Sequence, residues 1–295
     1  MITEHEITTI FCKFDDFCSE LDEYTKHQFL GAPRKKQGPE TRLSPSEVMT
    51  LLIGFQALRF RSFKAFYKFV QEHWRGYFPH LVSYQRMVEL IKSVLGPLIL
   101  FTQLYSGRRT GIYYVDSTSL AVCSLRRQKR HKTFEEMAKF GKTSIGWFFG
   151  LKLHLVINDK GEIIAFKVTK GNRNDGVEST SLLKILKGLA FGDKGYIGKK
   201  IFDELLVGGL KLITRKRKNM AQGLLSEYEK QLLDQRNLVE TVINHLKHHY
   251  QVWHTRHRSI ANAMTHLVAA IAAYVIEPLK LSAIKLLSST ALKIS

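Results

Sequence analysis

Two aspartates stand where apolar runs stop. Asp116 closes Gly111-Ile-Tyr-Tyr-Val and is followed by Ser117-Thr118; Asp193 closes Gly188-Leu-Ala-Phe-Gly and is followed by Lys194-Gly195-Tyr196. Apolar, β-branched and aromatic runs of this length read as strands, and in an open α/β sheet sites assemble at strand ends. Two carboxylates brought together there repel unless a cation lies between them. An oxygen-only donor set suits Mg²⁺ or Mn²⁺ better than zinc. Taken singly, each Asp also fits a cap or turn residue.

The third acid lies on a helix. Arg236, Glu240, Asn244 and Lys247 are spaced i, i+4, i+8 and i+11, which at 3.6 residues per turn sets them on one polar stripe. Leu238, Val239, Val242, Ile243 and Leu246 form the adjoining apolar face, able to pack on a sheet. Glu240 then sits at the seam between two cations, with Arg236 and Lys247 suited to phosphate. An Arg236–Glu240 salt-bridge ladder on a solvated helix satisfies the same spacing.

The elements that must position these groups change character near residue 108. The first hundred or so residues read as helical. Ser44-Pro45-Ser46-Glu47 is a capping box with proline at the first helical position, followed by Val48, Leu51, Leu52 and Phe55 at helical spacing. Phe63, Phe66, Tyr67 and Val70 give a second helix, and Ser83 to Val94 a third, ending before Gly96-Pro97. The basic segment Gly31–Gly38, with Arg34, Lys35 and Lys36, reads as a loop. Residues 1–107 are thus expected to form a helical domain, serving either to bind a DNA end or as a structural cap on the next domain. Residues 108–280 read as a mixed α/β domain, and 281–295 as a tail. Gly146–Ile157 and Glu162–Val168 flank Asn158-Asp159-Lys160-Gly161 as a hairpin. Helices are expected over 176–187, about 199–206 and, as one long element, 226–249, with a short strand over Leu210–Thr214.

Composition narrows the partner. Lys and Arg number 45 against 26 Asp and Glu, a formal net charge of +19 with pI near 9.8. That excess points to a polyanion, with DNA, RNA and an anionic membrane surface all compatible. Cys12, Cys18 and Cys123 form neither a zinc pattern nor a disulfide framework, which fits a reducing compartment. The first residues include Glu4 and Glu6 and lack an apolar core, so no signal peptide is read. The apolar stretch Ala263–Ile276, interrupted by His266, is too short for a bilayer and reads as a buried helix. A cytoplasmic protein without a membrane span is expected.

In combination, Tyr-Val-Asp116-Ser-Thr, Gly-Asp193-Lys-Gly-Tyr196 and Arg236-x-x-x-Glu240-x-x-x-x-x-x-Lys247 resemble the bacterial insertion-sequence transposases of the DDE type. The resemblance extends over about residues 108 to 276. It implies an RNase H-like mixed sheet with flanking helices, preceded by a helical N-terminal domain. It implies Asp116, Asp193 and Glu240 as catalytic metal ligands for two Mg²⁺ ions, with Mn²⁺ as substitute. Arg236, Lys247 and Lys194 become candidate DNA contacts. The implied chemistry is cleavage at terminal inverted repeats of double-stranded DNA, then attack of the freed 3′-hydroxyl on target DNA by a nucleoid-associated homodimer. Relatives often carry tyrosine three residues before the arginine, where this chain has Leu233. A nuclease or resolvase of the same fold, and a non-catalytic DNA-binding descendant, share these residues.

Other residues remain open to two readings. Asp175 could approach the site or cap a loop. Lys152 and His154 share one strand face, either turned to DNA or solvated. The histidines from His245 to His257 lack the accompanying ligands of a zinc site. Trp253 reads by default as core, and Arg256 and Arg258 as possible DNA contacts.

Overall fold

The computed structural model describes residues 3–28, 42–196, 198–214, 225–253, 257–278 and 280. The basic segments 31–38 and 215–218, Arg256 and the tail 281–295 lie outside the described residues, as do the side chains of Lys194 and Lys199. The chain forms two compact units. One comprises Met1–Leu104, His249–Gln251 and His257–Tyr274; the other comprises Tyr105–His248, Val252–Arg256 and Val275–Ser295.

The first unit is helical: α1 (Glu4–Gln28), α2 (Pro45–Ala57), α3 (Phe63–His73), α4 (Tyr84–Ile91), α5 (Leu95–Leu104) and most of α10 (Ile260–Ile276). The capping box forms as its sequence demands, with Ser44 accepting from the Glu47 N–H and Glu47 accepting from the Ser44 N–H. Aromatic rings fill the interior, where Phe66 meets Phe55, Phe63 and Trp74. His266 is buried against Phe55 and Phe63, and desolvation holds its imidazole well below the ordinary range, so it packs as a neutral ring. The helix read over 83–94 does not stop at Gly96-Pro97. A 3₁₀ turn, Lys92–Val94, leads straight into α5, whose first turn holds Pro97. Proline is tolerated there because first-turn N–H groups have no intrahelical acceptor to lose. By length and composition alone the resulting run Tyr84–Leu104 could cross a membrane. Met87, Leu90, Ile91, Val94, Leu98 and Phe101 are instead buried within this unit. The helix α10, assigned from its sequence to the second region, supplies the buried run Leu267–Tyr274 to this one.

The second unit is built on a six-stranded sheet: β1 (Ile112–Cys123), β2 (Lys139–Lys142), β3 (Trp147–Asn158), β4 (Ile163–Lys170), β5 (Gly188–Gly192) and β6 (Leu210–Thr214). The hairpin β3–β4 turns at residues 159–162, and β3 pairs antiparallel with β1. β5 and β6 then join in parallel beside β1. The order β4-β3-β1-β5-β6, three antiparallel strands followed by two parallel ones, is the RNase H-like arrangement. β2 pairs with the beginning of β3, ahead of the stretch that β4 covers.

Helices cover both faces. α6 (Asp175–Leu183) and α7 (Lys199–Val207) bury Tyr113, Val115, Val156, Ala190 and Leu212 on one. On the other, α9 (Asn237–His248) lays Leu238, Val239, Val242, Ile243 and Leu246 against β1 and β3, the apolar face its periodicity dictates. The element read as one helix over 226–249 is two, α8 (Glu227–Asp234) and α9. At the joint the Gln235 N–H is shared between the Gln231 and Leu232 carbonyls and the Arg236 N–H bonds the Leu233 carbonyl, a 3₁₀ tightening, and Tyr114 Oη on β1 donates to Gln235 Oε1 at 3.3 Å. No Gly or Pro marks that break.

Candidate active site

Asp116 does not end its strand. β1 continues seven residues past it, because the antiparallel partner β3 runs alongside to Cys123. Its other neighbour stops early: β1 and β5 pair only over Ile112–Tyr114 and Leu189–Phe191. Beyond Tyr114 that edge of β1 is open. Continuing the same parallel register by two residues sets Asp116 beside Asp193, the first residue after β5. Each aspartate thus follows by two residues the last paired position of adjacent parallel strands, and the charge of Asp193 acts on Asp116.

Asp193 is exposed and leads into a 3₁₀ turn, Lys194–Tyr196, closed by Tyr196 N–H on the Asp193 carbonyl at 3.0 Å. Tyr196 returns to the core, 2% exposed, and its ring lies against Gly192, where any Cβ would crowd it at 3.2 Å. The tyrosine of Asp-Lys-Gly-Tyr thus anchors the turn that presents Asp193, a role that spacing alone did not reveal. Its hydroxyl is buried near Ser179 and Ser117 without a close hydrogen bond, and burial pushes its ionisation far up.

By strand alternation Tyr114, Asp116 and Thr118 share the face covered by α9. Asp116 accepts from the Ser117 N–H at 2.8 Å, and Arg236 Nη1 stands 3.9 Å from its Oδ2. The same guanidinium donates to Glu240 Oε1, so Arg236 is forked between two of the three acids. Burial pushes Asp116 up from 3.8 to about 6; the Ser117 N–H and Arg236 oppose this, while the nearby charges of Glu240 and Asp193 add to it. Lys247 is half-buried; desolvation lowers its ammonium while Asp116 pulls it back up. Arg236, Glu240, Lys247 and Asp193 thus lie within electrostatic reach of the half-buried Asp116 carboxylate.

Among the described residues no three His, Cys, Asp or Glu side chains are close enough together to hold a metal ion. The donor chemistry nevertheless fits a hard divalent cation. All donors are oxygens, and the half-buried Asp116 carries a desolvation penalty that a guanidinium at 3.9 Å offsets only in part. The Arg236–Glu240 pair of the alternative ladder reading is present as well.

The remaining candidates lie elsewhere. Lys152 and His154 face neither DNA nor solvent: α6 covers them, on the sheet face opposite Asp116. Lys152 Nζ bonds Asp175 Oδ1 at 2.9 Å and the Arg173 carbonyl at 3.0 Å. His154, fully buried and lowered by desolvation, sits between Thr169 and Ser179. Asp175 occupies the first turn of α6 behind the cap Asn174. Leu233 is buried in α8. Trp253 is exposed, not core.

Beside this geometry, likeness to a known family is decisive. The family described as "Transposase DDE domain" matches residues 106–260, more than half of the chain. The chain belongs to that family. Membership places it among the nuclease and transposase enzymes, which work with divalent metal ions. No curated protein sequence matches the chain. Among solved structures, the Mos1 strand transfer complex aligns at 14% identity and TM-score 0.24, covering 81% of this chain and 85% of that one. The Mos1 mariner paired end complex with Mn aligns at 12% and 0.24, covering 79% and 84%. At such TM-scores nothing about the site follows from either.

Proposed function

We propose that this DDE-domain protein is an insertion-sequence transposase that cleaves DNA at element ends and joins the freed 3′-hydroxyl to target DNA. The observation that carries the reading is Asp116: a half-buried carboxylate on the open edge of β1, with Glu240 and Asp193 near enough to disfavour its charge and Arg236 and Lys247 near enough to favour it. A pure DNA-binding surface gains nothing from acids turned toward phosphate.

Asp116, Asp193 and Glu240 hold Mg²⁺ or Mn²⁺ in this reading. Bound there, the cation supplies Lewis-acid stabilisation of the attacking and leaving oxygens of an in-line displacement. The chain's own residues do the rest. β1 and the Tyr196-anchored turn fix the two aspartates on rigid backbone. Arg236 screens Asp116 from Glu240, and its planar fork suits a phosphate oxygen pair. Lys247 supplies a second phosphate contact, and Lys194 a third. Hydrolysis and transesterification use the same geometry, so one site serves both steps. Double-stranded DNA, as terminal inverted repeats and target, is the partner; synapsis of two ends calls for a homodimer working in the cytoplasm at the nucleoid.

The test is cleavage of DNA bearing the element's terminal inverted repeats, with Mg²⁺ or Mn²⁺, followed by a strand-transfer assay. Asp193→Asn and Glu240→Gln are expected to bind DNA and to lose cleavage by at least about 100-fold. Full activity in either variant would overturn the metal-ligand assignment. Hydrolysis without joining would assign a nuclease or resolvase, and salt-sensitive binding without cleavage under any divalent metal a non-catalytic binder.

A further inference from the structure

β3 carries the face of Asp116 well beyond the site. Leu155 is the β3 partner of Asp116, and by alternation Leu153, Leu151, Phe149 and Trp147 follow on the same face. Eight residues at about 3.3 Å each set Trp147 about 26 Å from that pair along the strand. There the covering helix runs out: Leu151 and Leu153 are buried, whereas Trp147 is 60% exposed. β2 adds Lys142 opposite Trp147 and Phe140 opposite Phe149. Lys142 Nζ stands 5.8 Å from the Trp147 ring centroid, and Phe140, half-exposed, packs on Phe149. Reciprocal hydrogen bonds between Thr143 and Gly146 close the turn and leave Ser144 and Ile145 at its tip, Ile145 being 98% exposed.

The same end of the sheet is strongly basic. β1 finishes at Cys123, and the 3₁₀ turn Leu125–Arg130 that follows packs on β3 with Arg126, Arg127, Lys129 and Arg130 exposed or half-exposed. Residues 125–147 contain seven Lys and Arg against two Glu. An exposed tryptophan, a fully exposed isoleucine and a cation over the indole, in a field of positive charge, match a surface for bases and phosphates. A second copy docking through this same basic patch is disfavoured there by like-charge repulsion.

We propose that this β2–β3 arm is a second DNA contact, where an unpaired base stacks on Trp147 while the surrounding cations hold its flanking phosphates. The arm lies on the sheet face of the candidate active site, about seven or eight nucleotides away at 3.4 Å per step. The proposal rests on the DNA reading given above but not on catalysis.

The test is equilibrium binding without divalent metal to two probes: a blunt duplex, and the same duplex with a single-stranded extension of about ten nucleotides. The wild type is expected to prefer the extended probe. Trp147→Ala should weaken binding to it about 5- to 150-fold, the range of one base–aromatic stack, while Trp147→Phe retains most of the affinity. Blunt-duplex affinity should move less than about 2-fold with Trp147→Ala. Equal losses on both probes, or no loss on either, would overturn the stacking assignment. Self-association of the wild type in sedimentation, abolished by Trp147→Ala, would overturn it in favour of a protein interface. A wild type that binds neither probe overturns the DNA reading itself.

Discussion

Replacing Asp116 with asparagine should make the metal-free protein more stable while removing a proposed metal ligand. The carboxyl lies at about 6 in the fold against an ordinary 3.8, because burial disfavours its charge more than Arg236 and the Ser117 N–H restore it. The folded chain therefore holds this proton more tightly than the unfolded chain. Below about pH 4 both states are protonated and the group is neutral to stability. Between about 4 and 6 the unfolded chain releases its proton first, so stability falls as pH rises, and above about 6 the full penalty is present. At about 1.4 kcal/mol per pH unit the penalty approaches 3 kcal/mol at pH 7.5 and shrinks to about 1 kcal/mol at pH 4.5. An asparagine side chain is uncharged, fills the same volume and can still accept from the Ser117 N–H. Thermal unfolding in EDTA should show Asp116→Asn melting roughly 6–12 °C above wild type at pH 7.5, at about 2–4 °C per kcal/mol, with the gap closing toward pH 4.5. Mg²⁺ should then raise the melting temperature of the wild type and not of the variant. A gap that does not depend on pH, or a variant less stable than wild type at pH 7.5, would refute the assignment of that penalty to Asp116.

Two further predictions concern the scaffold. Asp175→Ala leaves the largely buried Lys152 with only the Arg173 carbonyl as a close partner, and should cost about 2 kcal/mol in urea unfolding, with partial recovery on adding Lys152→Met; a loss below about 0.5 kcal/mol would show the pair to be dispensable. Gly150→Ala drives a Cβ to 2.1 Å from the Leu120 carbonyl on β1, so it should destabilise by about 3 kcal/mol or prevent folding, read by far-UV circular dichroism with urea; wild-type stability there would contradict the close approach of β1 and β3.

Most of the scaffold was legible in periodicity. The capping box at Ser44, the hairpin around 158–161 and the apolar stripe of α9 follow from local chemistry that tertiary context does not override. The errors share a cause: they depend on partners distant in sequence. β1 extends through Ser117, Thr118 and Ser119, a polar run that looks like a loop until β3 is seen to pair with it. Lys152 and His154 look solvated because only α6, arriving later in the chain, buries them. The α8–α9 joint lacks Gly or Pro because it is made by hydrogen bonding at Gln235 and Arg236 and by a tyrosine on another strand. β2 was invisible because Lys-Phe-Gly-Lys is too short to carry a pattern. At the site, the residue types were readable, but the parallel register that aligns Asp116 with Asp193 is a property of strand pairing, which no local pattern encodes.

The spacing between those two aspartates is set by a ladder of only three residue pairs, Ile112–Leu189, Tyr113–Ala190 and Tyr114–Phe191, and by the two residues that follow each strand's last pair. The segment from β1 to β5 can lengthen or shorten in its turns without moving either acid. A single-residue insertion between Tyr114 and Asp116, or between Phe191 and Asp193, would instead shift one acid by a full step and turn it to the other face of the sheet. As such chains diverge, length variation should therefore be absent from those two dipeptide steps and free to accumulate in the turns between them, a pattern that sequencing of related copies can read directly.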